Sequence, residues 1–114
     1  MTPDSPASSD DAIAVIITAG SEAEAIALAQ ALVEEAIAAC VAITPITSIY
    51  RWQGKIEQAS EWQLVVKTIQ AQWPKLVEQV SALHSYEVPE IIALPIVAAS
   101  PAYLSWLRAS TRTI

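Results

Sequence analysis

The sequence predicts an α+β domain of the ferredoxin-like type: βαββαβ with a long β-hairpin, an antiparallel sheet and a short C-terminal helix. Three observations carry this. Strand-like apolar runs and helix-spaced apolar stripes follow one another in the order β-α-β-β-α-β, the split β-α-β arrangement. The two central runs, over 39–68, meet at Gln53-Gly54-Lys55, where a glycine between polar residues signals a hairpin turn. Right-handed crossovers then place both main helices on one face of the sheet.

The elements follow in order. Residues 1–10, MTPDSPASSD, offer almost nothing to bury, which predicts a disordered tail ahead of a single domain over 11–114. Residues 12–18, AIAVIIT, form a continuous apolar run rich in β-branched residues, which reads as a central strand buried on both faces. Ser21 and Glu24 sit at capping-box spacing. Ala25, Leu28, Ala29, Leu32, Val33 and Ala36 then recur at helical spacing, predicting a helix to about Ala38. After the hairpin, Trp73-Pro74 opens a second helix whose stripe is Trp73, Leu76, Val77, Val80 and Leu83 or His84. Residues 84–90 have no helical period and contain Pro89, so they read as a loop. Residues 91–98 form a last strand, with Pro95 demanding an edge position or a bulge. Ser100-Pro101 caps a short closing helix carrying Tyr103, Leu104, Trp106 and Leu107.

The hairpin is oversized. Val41, Ile43, Ile46, Ile49, Tyr50 and Trp52 lie on one arm, and Ile56, Trp62, Leu64, Val65 and Val66 on the other. Each arm is roughly twice the usual strand of ~5–6 residues. A domain of 114 residues cannot cover both arms with its own helices. Unpaired backbone edges and aromatic rings would face water, which proteins normally avoid. A second copy of the chain is the simplest cover. The hydrophobic fraction of 54% and mean hydropathy of +0.40 point the same way.

Charge and cysteine use narrow the classes. Twelve acidic and six basic residues leave a net charge of −6 and no basic stripe, so nucleic acid is not an expected partner. A single cysteine forms no internal disulfide, which fits a reducing compartment. No apolar run is long enough for a membrane span, and the protein is expected to be soluble and cytoplasmic.

At Ala39-Cys40-Val41, Ser48-x-Tyr50-x-Trp52-x-Gly54-Lys55-Ile56, Glu61, Lys67-Thr68 and His84-x-Tyr86-x-x-Pro89-Glu90-Ile91, the sequence resembles the CutA family of divalent-cation tolerance proteins. The match runs over about 12–110. The resemblance implies a homotrimer in which long hairpins pair between neighbours, with kinship to the PII signalling trimers and their inter-subunit ligand clefts. It also implies a role in response to metal ions. The copper site thought to exist in some members uses a Cys on the first strand just before a Thr, and a His pair before a Pro-Tyr. Here Ile17 and Leu83 stand at two of those positions, only His84 remains, and Ser85 replaces the proline. Ala42 stands where an Asn is often found.

Several side chains are candidates for chemistry. Cys40 is a possible soft metal ligand or a small core residue. His84 is a possible weak Cu(II) ligand or a structural loop residue. Glu57 and Glu61 are oxygen donors for a hard cation, or a solvated hairpin rim. Lys67 and Arg51 either clamp an anion or pair with glutamates. Tyr50, Trp52 and Trp62 line a ligand cleft, pack in a subunit interface, or do both. The expected ligand cleft comprises Tyr50, Trp52, Glu61, Lys67, Tyr86, Pro89 and Glu90, closed by a neighbour. No nucleophile with a positioned base and no Gly-rich phosphate loop is visible, so no catalysis and no required cofactor are expected. The expected activity is that of a trimeric binding protein in divalent metal tolerance. The alternatives are a PII-like sensor of a small organic ligand or anion, and an enzyme using Glu61, His84 and Tyr86 as acid–base groups.

Overall fold

The computed structural model describes residues 8–112. It contains β1 (Ala12–Ala19), α1 (Glu22–Glu34), β2 (Cys40–Trp52), β3 (Lys55–Ile69), a 3-10 turn (Gln70–Gln72), α2 (Trp73–Leu83), β4 (Ile91–Pro95) and α3 (Pro101–Ser110). The four strands form one antiparallel sheet in the order β2-β3-β1-β4. This is the split β-α-β topology read from the sequence.

β1 is central, but its two faces differ. Val15, Ile17 and Ala19 are fully buried, whereas the alternating Ala14, Ile16 and Thr18 are only half-buried. Both main helices lie on one face, so only that side receives a continuous core. Leu28 and Leu32 of α1, Leu64 and Val66 of β3, and Leu76 and Val80 of α2 complete it. Burial of each such side chain favours folding by about 1.5–3 kcal/mol. A smaller cluster of Ala12, Ala39, Ile69 and Leu107 seats α3 at the end of the sheet.

Ser21 caps α1, its Oγ accepting the Glu24 N–H at 3.1 Å. The helix stops at Glu34, short of the expected Ala38. Ala36 adopts φ 57°, the Ile37 N–H returns to the Leu32 carbonyl at 3.0 Å, and the Ala36 N–H to the Val33 carbonyl at 3.1 Å. This is a Schellman closure with alanine where glycine is usual. It turns the chain so that Ile37 and Ala38 enter the core. The buried Thr68 hydroxyl then donates to the Ile37 carbonyl at 2.5 Å, and the Ala39 N–H to the Lys67 carbonyl at 2.9 Å, leading into β2.

The hairpin turn is two residues, Gln53 (φ 50°) and Gly54 (φ 79°), between paired Trp52 and Lys55. Positive φ at both positions is the type I′ signature, whose twist matches that of the strands. β3 pairs with β1 only from Trp62 to Ile69. Beyond that, from Ile46 opposite Glu61 out to Trp52 opposite Lys55, the hairpin has no third strand. Ile49 and Ile56 are 68% and 64% exposed there.

β4 ends at Pro95 rather than 98 and is an edge strand, which accommodates a residue without an N–H. Ser100 and Pro101 open α3 as expected, although the Ser100 side chain makes no capping bond. Of the tail expected over 1–10, residues 1–7 lie outside the described residues. Ser8–Asp10 form a turn bonded into the domain, so the fold begins before residue 11. The Ser8 carbonyl accepts from Asp11 N–H at 3.0 Å, Ser9 from Ala71 N–H at 2.8 Å, and Asp10 from Arg108 Nε at 3.0 Å.

The left-handed Ala36 generates a prediction. A Cβ in that conformation costs roughly 1–2 kcal/mol, more than glycine's extra chain entropy. Ala36→Gly should therefore stabilise the protein by about 0.5–1 kcal/mol in denaturant unfolding, whereas Ala36→Val should destabilise it.

Candidate functional site

The loop between α2 and β4 is tied down over the end of β1. The His84 imidazole is fully buried, with Nε2 2.6 Å from the Thr18 carbonyl. A carbonyl only accepts, so Nε2 carries the proton, and Nδ1 accepts the Tyr86 N–H at 3.0 Å. The His84 and Tyr86 rings lie 4.8 Å apart, tilted by 51°.

Glu24, one turn into α1, fastens the same loop. Its Oε2 accepts the Ser85 N–H at 2.7 Å, and its Oε1 accepts the Ser85 hydroxyl at 3.0 Å and the Gly20 N–H at 3.2 Å. The capping glutamate thus reaches Gly20 and the loop rather than Ser21. Burial pushes its pKa up, but the Ser85 and Gly20 donors outweigh that and hold the carboxyl below its usual range.

Held this way, Tyr86 lies across Gly20 and donates its hydroxyl to Glu61 Oε2 at 2.7 Å. A Cβ on Gly20 would stand 3.1 Å from the Tyr86 hydroxyl oxygen and 3.3 Å from its ring. Burial, the Glu61 bond and the neighbouring charge of Glu61 all push the Tyr86 phenol up, so it remains a neutral donor at physiological pH. Glu61 is 6% exposed, a buried carboxylate at the point where β1 leaves β3. Tyr86 also forms one wall of a cleft of about 270 Å³, shared with Glu87, Val88, Tyr50 and Trp52.

The structure therefore brings together Tyr50, Trp52 and Tyr86, with Glu61 bonded behind Tyr86. Pro89 and Glu90 follow in the loop but do not line the cleft. Lys67 is elsewhere within the subunit. It stands opposite Cys40, ten positions along β2 from Tyr50, roughly 33 Å at ~3.3 Å per residue. Cys40 Sγ lies 3.9 Å from Lys67 Nζ and 3.6 Å from the Tyr103 hydroxyl. Trp106 pairs with Tyr103 at 5.5 Å and does not join Trp52 as an aromatic partner. Sequence reasoning missed Gly20, Glu87 and Val88 as parts of the site, and the second role of Glu24. Gly20, one of only two glycines, was the available signal.

The residues do not fit the copper site that the resemblance implies for some members. Ile17 is buried in the apolar core, Leu83 turns half its surface to solvent, and both His84 nitrogens are engaged by backbone groups. Among the described residues, no three His, Cys, Asp or Glu side chains gather in ligand geometry.

Two outcomes follow from this clasp. The carboxyl of Glu24 is held low by bonds made only in the folded chain, so its contribution is complete above the ordinary value of 4.5 and is lost as pH falls through the folded value. With intrinsic exchange rates divided out, protection of the Ser85 and Tyr86 amides should fall in that acid range, and Glu24→Gln should give low protection that varies far less with pH. Gly20→Ala should push the Tyr86 hydroxyl off Glu61, leaving a buried acceptor short of a donor at about 1–3 kcal/mol. The loss in unfolding free energy should shrink in a Tyr86→Phe background.

Comparison with known proteins places this geometry. The family model described as CutA1 divalent ion tolerance protein matches residues 13–110. The divalent-cation tolerance protein CutA of Thermus thermophilus is 55% identical over 98 residues, covering 85% of this chain and 95% of its own. The chloroplastic CutA of Arabidopsis thaliana is 46% identical, and the match covers 88% of this chain but 56% of that longer relative. The solved structure of the periplasmic CutA of Archaeoglobus fulgidus superposes with a TM-score of 0.87 at 39% identity, over 89% of this chain and 99% of the other. No helix among the described residues is long and apolar enough to cross a membrane. With its sheet order, its overlong hairpin and a family match across nearly the whole fold, the chain belongs to the CutA1 divalent ion tolerance family.

Proposed function

We propose that the protein is a homotrimeric, non-catalytic binding protein acting in the cell's tolerance of divalent metal ions. Family membership supports the role, and one structural observation carries the assembly. From Ile46 to Trp52 and from Lys55 to Glu61 the hairpin has no third strand, and it exposes Ile49, Tyr50, Trp52 and Ile56. β4 at the opposite side of the sheet is also a free edge, with Ile92 and Leu94 exposed. Pairing between copies would satisfy both. Light scattering after size exclusion should give three times the chain mass of 12.2 kDa. A folded monomer would overturn the assembly. Ile49→Asp should lower the oligomeric state while leaving the circular dichroism of the sheet in place.

In this reading metal is not a resident cofactor. Copper could reach Nδ1 of His84 only by displacing the Tyr86 N–H, and the site would remain short of soft ligands. A chelator should leave the melting temperature unchanged, since a structural metal would couple to folding. Any copper affinity should be weak and fall in His84→Ala. Growth under rising copper or zinc, in a strain lacking the gene and in one carrying the trimer-breaking variant, tests the tolerance role directly. A cytoplasmic location is supported by the single cysteine, and cell fractionation decides it against the chloroplastic and periplasmic locations carried in relatives' names.

A second reading is favoured by the cleft between Tyr50, Trp52 and Tyr86. Its aromatic walls, with Tyr86 held in place by Glu61, suit a small organic ligand, as in a PII-like sensor. A thermal-shift screen of metabolites on the assembled protein should find stabilising compounds whose effect disappears in Trp52→Leu.

A further inference from the structure

The lining of that cleft specifies a ligand class. Tyr50 and Trp52 occupy alternate positions of β2, so their side chains share one face of the hairpin. Tyr86 approaches from the loop, fixed in place by Glu61, His84 and the close fit over Gly20. Three aromatic side chains thus border a volume of about 270 Å³, with Glu87 and Val88 completing the lining. Aromatic faces carry the negative end of the ring quadrupole and attract cations.

Charge around the cleft has the same sign. Glu87 is the one ionisable carboxylate in the lining, Glu57 stands across the hairpin from Tyr50, and Glu61 lies behind the Tyr86 hydroxyl. Lys55, opposite Trp52, is the single opposing charge on that stretch of the face. With a net charge of −6 on the chain, this is a poor seat for an anion. The cleft is small, below the ~300–1,000 Å³ of drug-sized pockets, which suits a compact ligand. A bare divalent ion is also a poor match, since such ions require several oxygen or nitrogen donors and the lining provides one carboxylate. A compact, weakly hydrated cation with an apolar surface satisfies all of these conditions.

We infer that the cleft is a site for a small organic cation of the quaternary ammonium type, held by cation–π contact with Tyr50, Trp52 and Tyr86 and by the charge of Glu87. This rests on the reading of the cleft as a ligand site and names the chemistry of its occupant.

The test is calorimetric titration of the assembled full-length protein with choline and with 3,3-dimethylbutan-1-ol, the same shape with carbon in place of the charged nitrogen. Choline should bind roughly tenfold or more tightly than the alcohol, the ratio expected of a partly desolvated cation–π site. Trp52→Leu should abolish choline binding, Trp52→Phe should retain part of it, and Glu87→Gln should weaken it several-fold. Light scattering on each variant identifies any lost assembly, and Glu87→Gln, on the exposed loop, keeps the test valid if the Trp52 variants dissociate. Equal affinity for the alcohol would overturn the cation class and leave an apolar ligand cleft. Uptake of citrate but not choline, lost in Trp52→Leu, would also overturn the class while the ligand reading stands. Binding of none of the three, by a protein shown to be assembled, would overturn the class, and a blank metabolite screen as well would remove the ligand reading with it.

Discussion

The structure depends on a mismatch of strand lengths. β3 runs for 15 residues and its neighbour β1 for 8, so one end of β3 lies inside a sheet and the other extends beyond it. The inner half holds Leu64 and Val66 in the core and anchors β1, α1 and α2. The outer half, with β2 alone beside it, projects the aromatic residues. Glu61 sits next to the junction, and its side-chain carboxylate accepts the Tyr86 hydroxyl, so the loop after α2 is held at the point where the sheet narrows. The exposed face of the hairpin and the cleft are consequences of the same geometric fact.

Much of the fold was legible because local rules and global arrangement agree. The apolar run of β1, the Ser21 cap, Gly54 in the turn, Pro74 at a helix start and Pro95 on an edge strand each declare their place through short-range chemistry. The element boundaries that shifted did so for tertiary reasons. α1 ends four residues early because Ile37 and Ala38 are needed in the core, and the chain accepts a left-handed alanine to deliver them. Ser8–Asp10 look like tail by composition, yet their carbonyls meet donors on the 3-10 turn and on Arg108.

The site was legible only in part. The aromatic residues of the hairpin and Tyr86 stand out as rings that a small core cannot absorb. The bonds that position them do not, since Glu24 and Ser85 are 61 residues apart and Glu61 and Tyr86 are 25 apart. Such pairings have no periodicity and no turn signal. Glu24 illustrates the difficulty, because its capping-box spacing already accounts for it fully. Its tie to the loop appears only when the end of β1 and the start of α1 are seen beside residues 84–86. His84 is similar, since a lone histidine reads as a weak ligand or a structural loop residue until both nitrogens are seen to be bonded to backbone groups.

The two-residue turn at Gln53-Gly54 has a consequence for how such a hairpin can change in length. Lengthening one arm alone would break the turn or force a bulge. Adding one residue to each arm would keep the pairing but rotate the tip by one pleat, turning Tyr50 and Trp52 away from the loop. Growth or shrinkage that preserves the aromatic face must therefore come in steps of two residues per arm. The reach of the hairpin is quantised, in increments of roughly 7 Å at ~3.3–3.4 Å per residue.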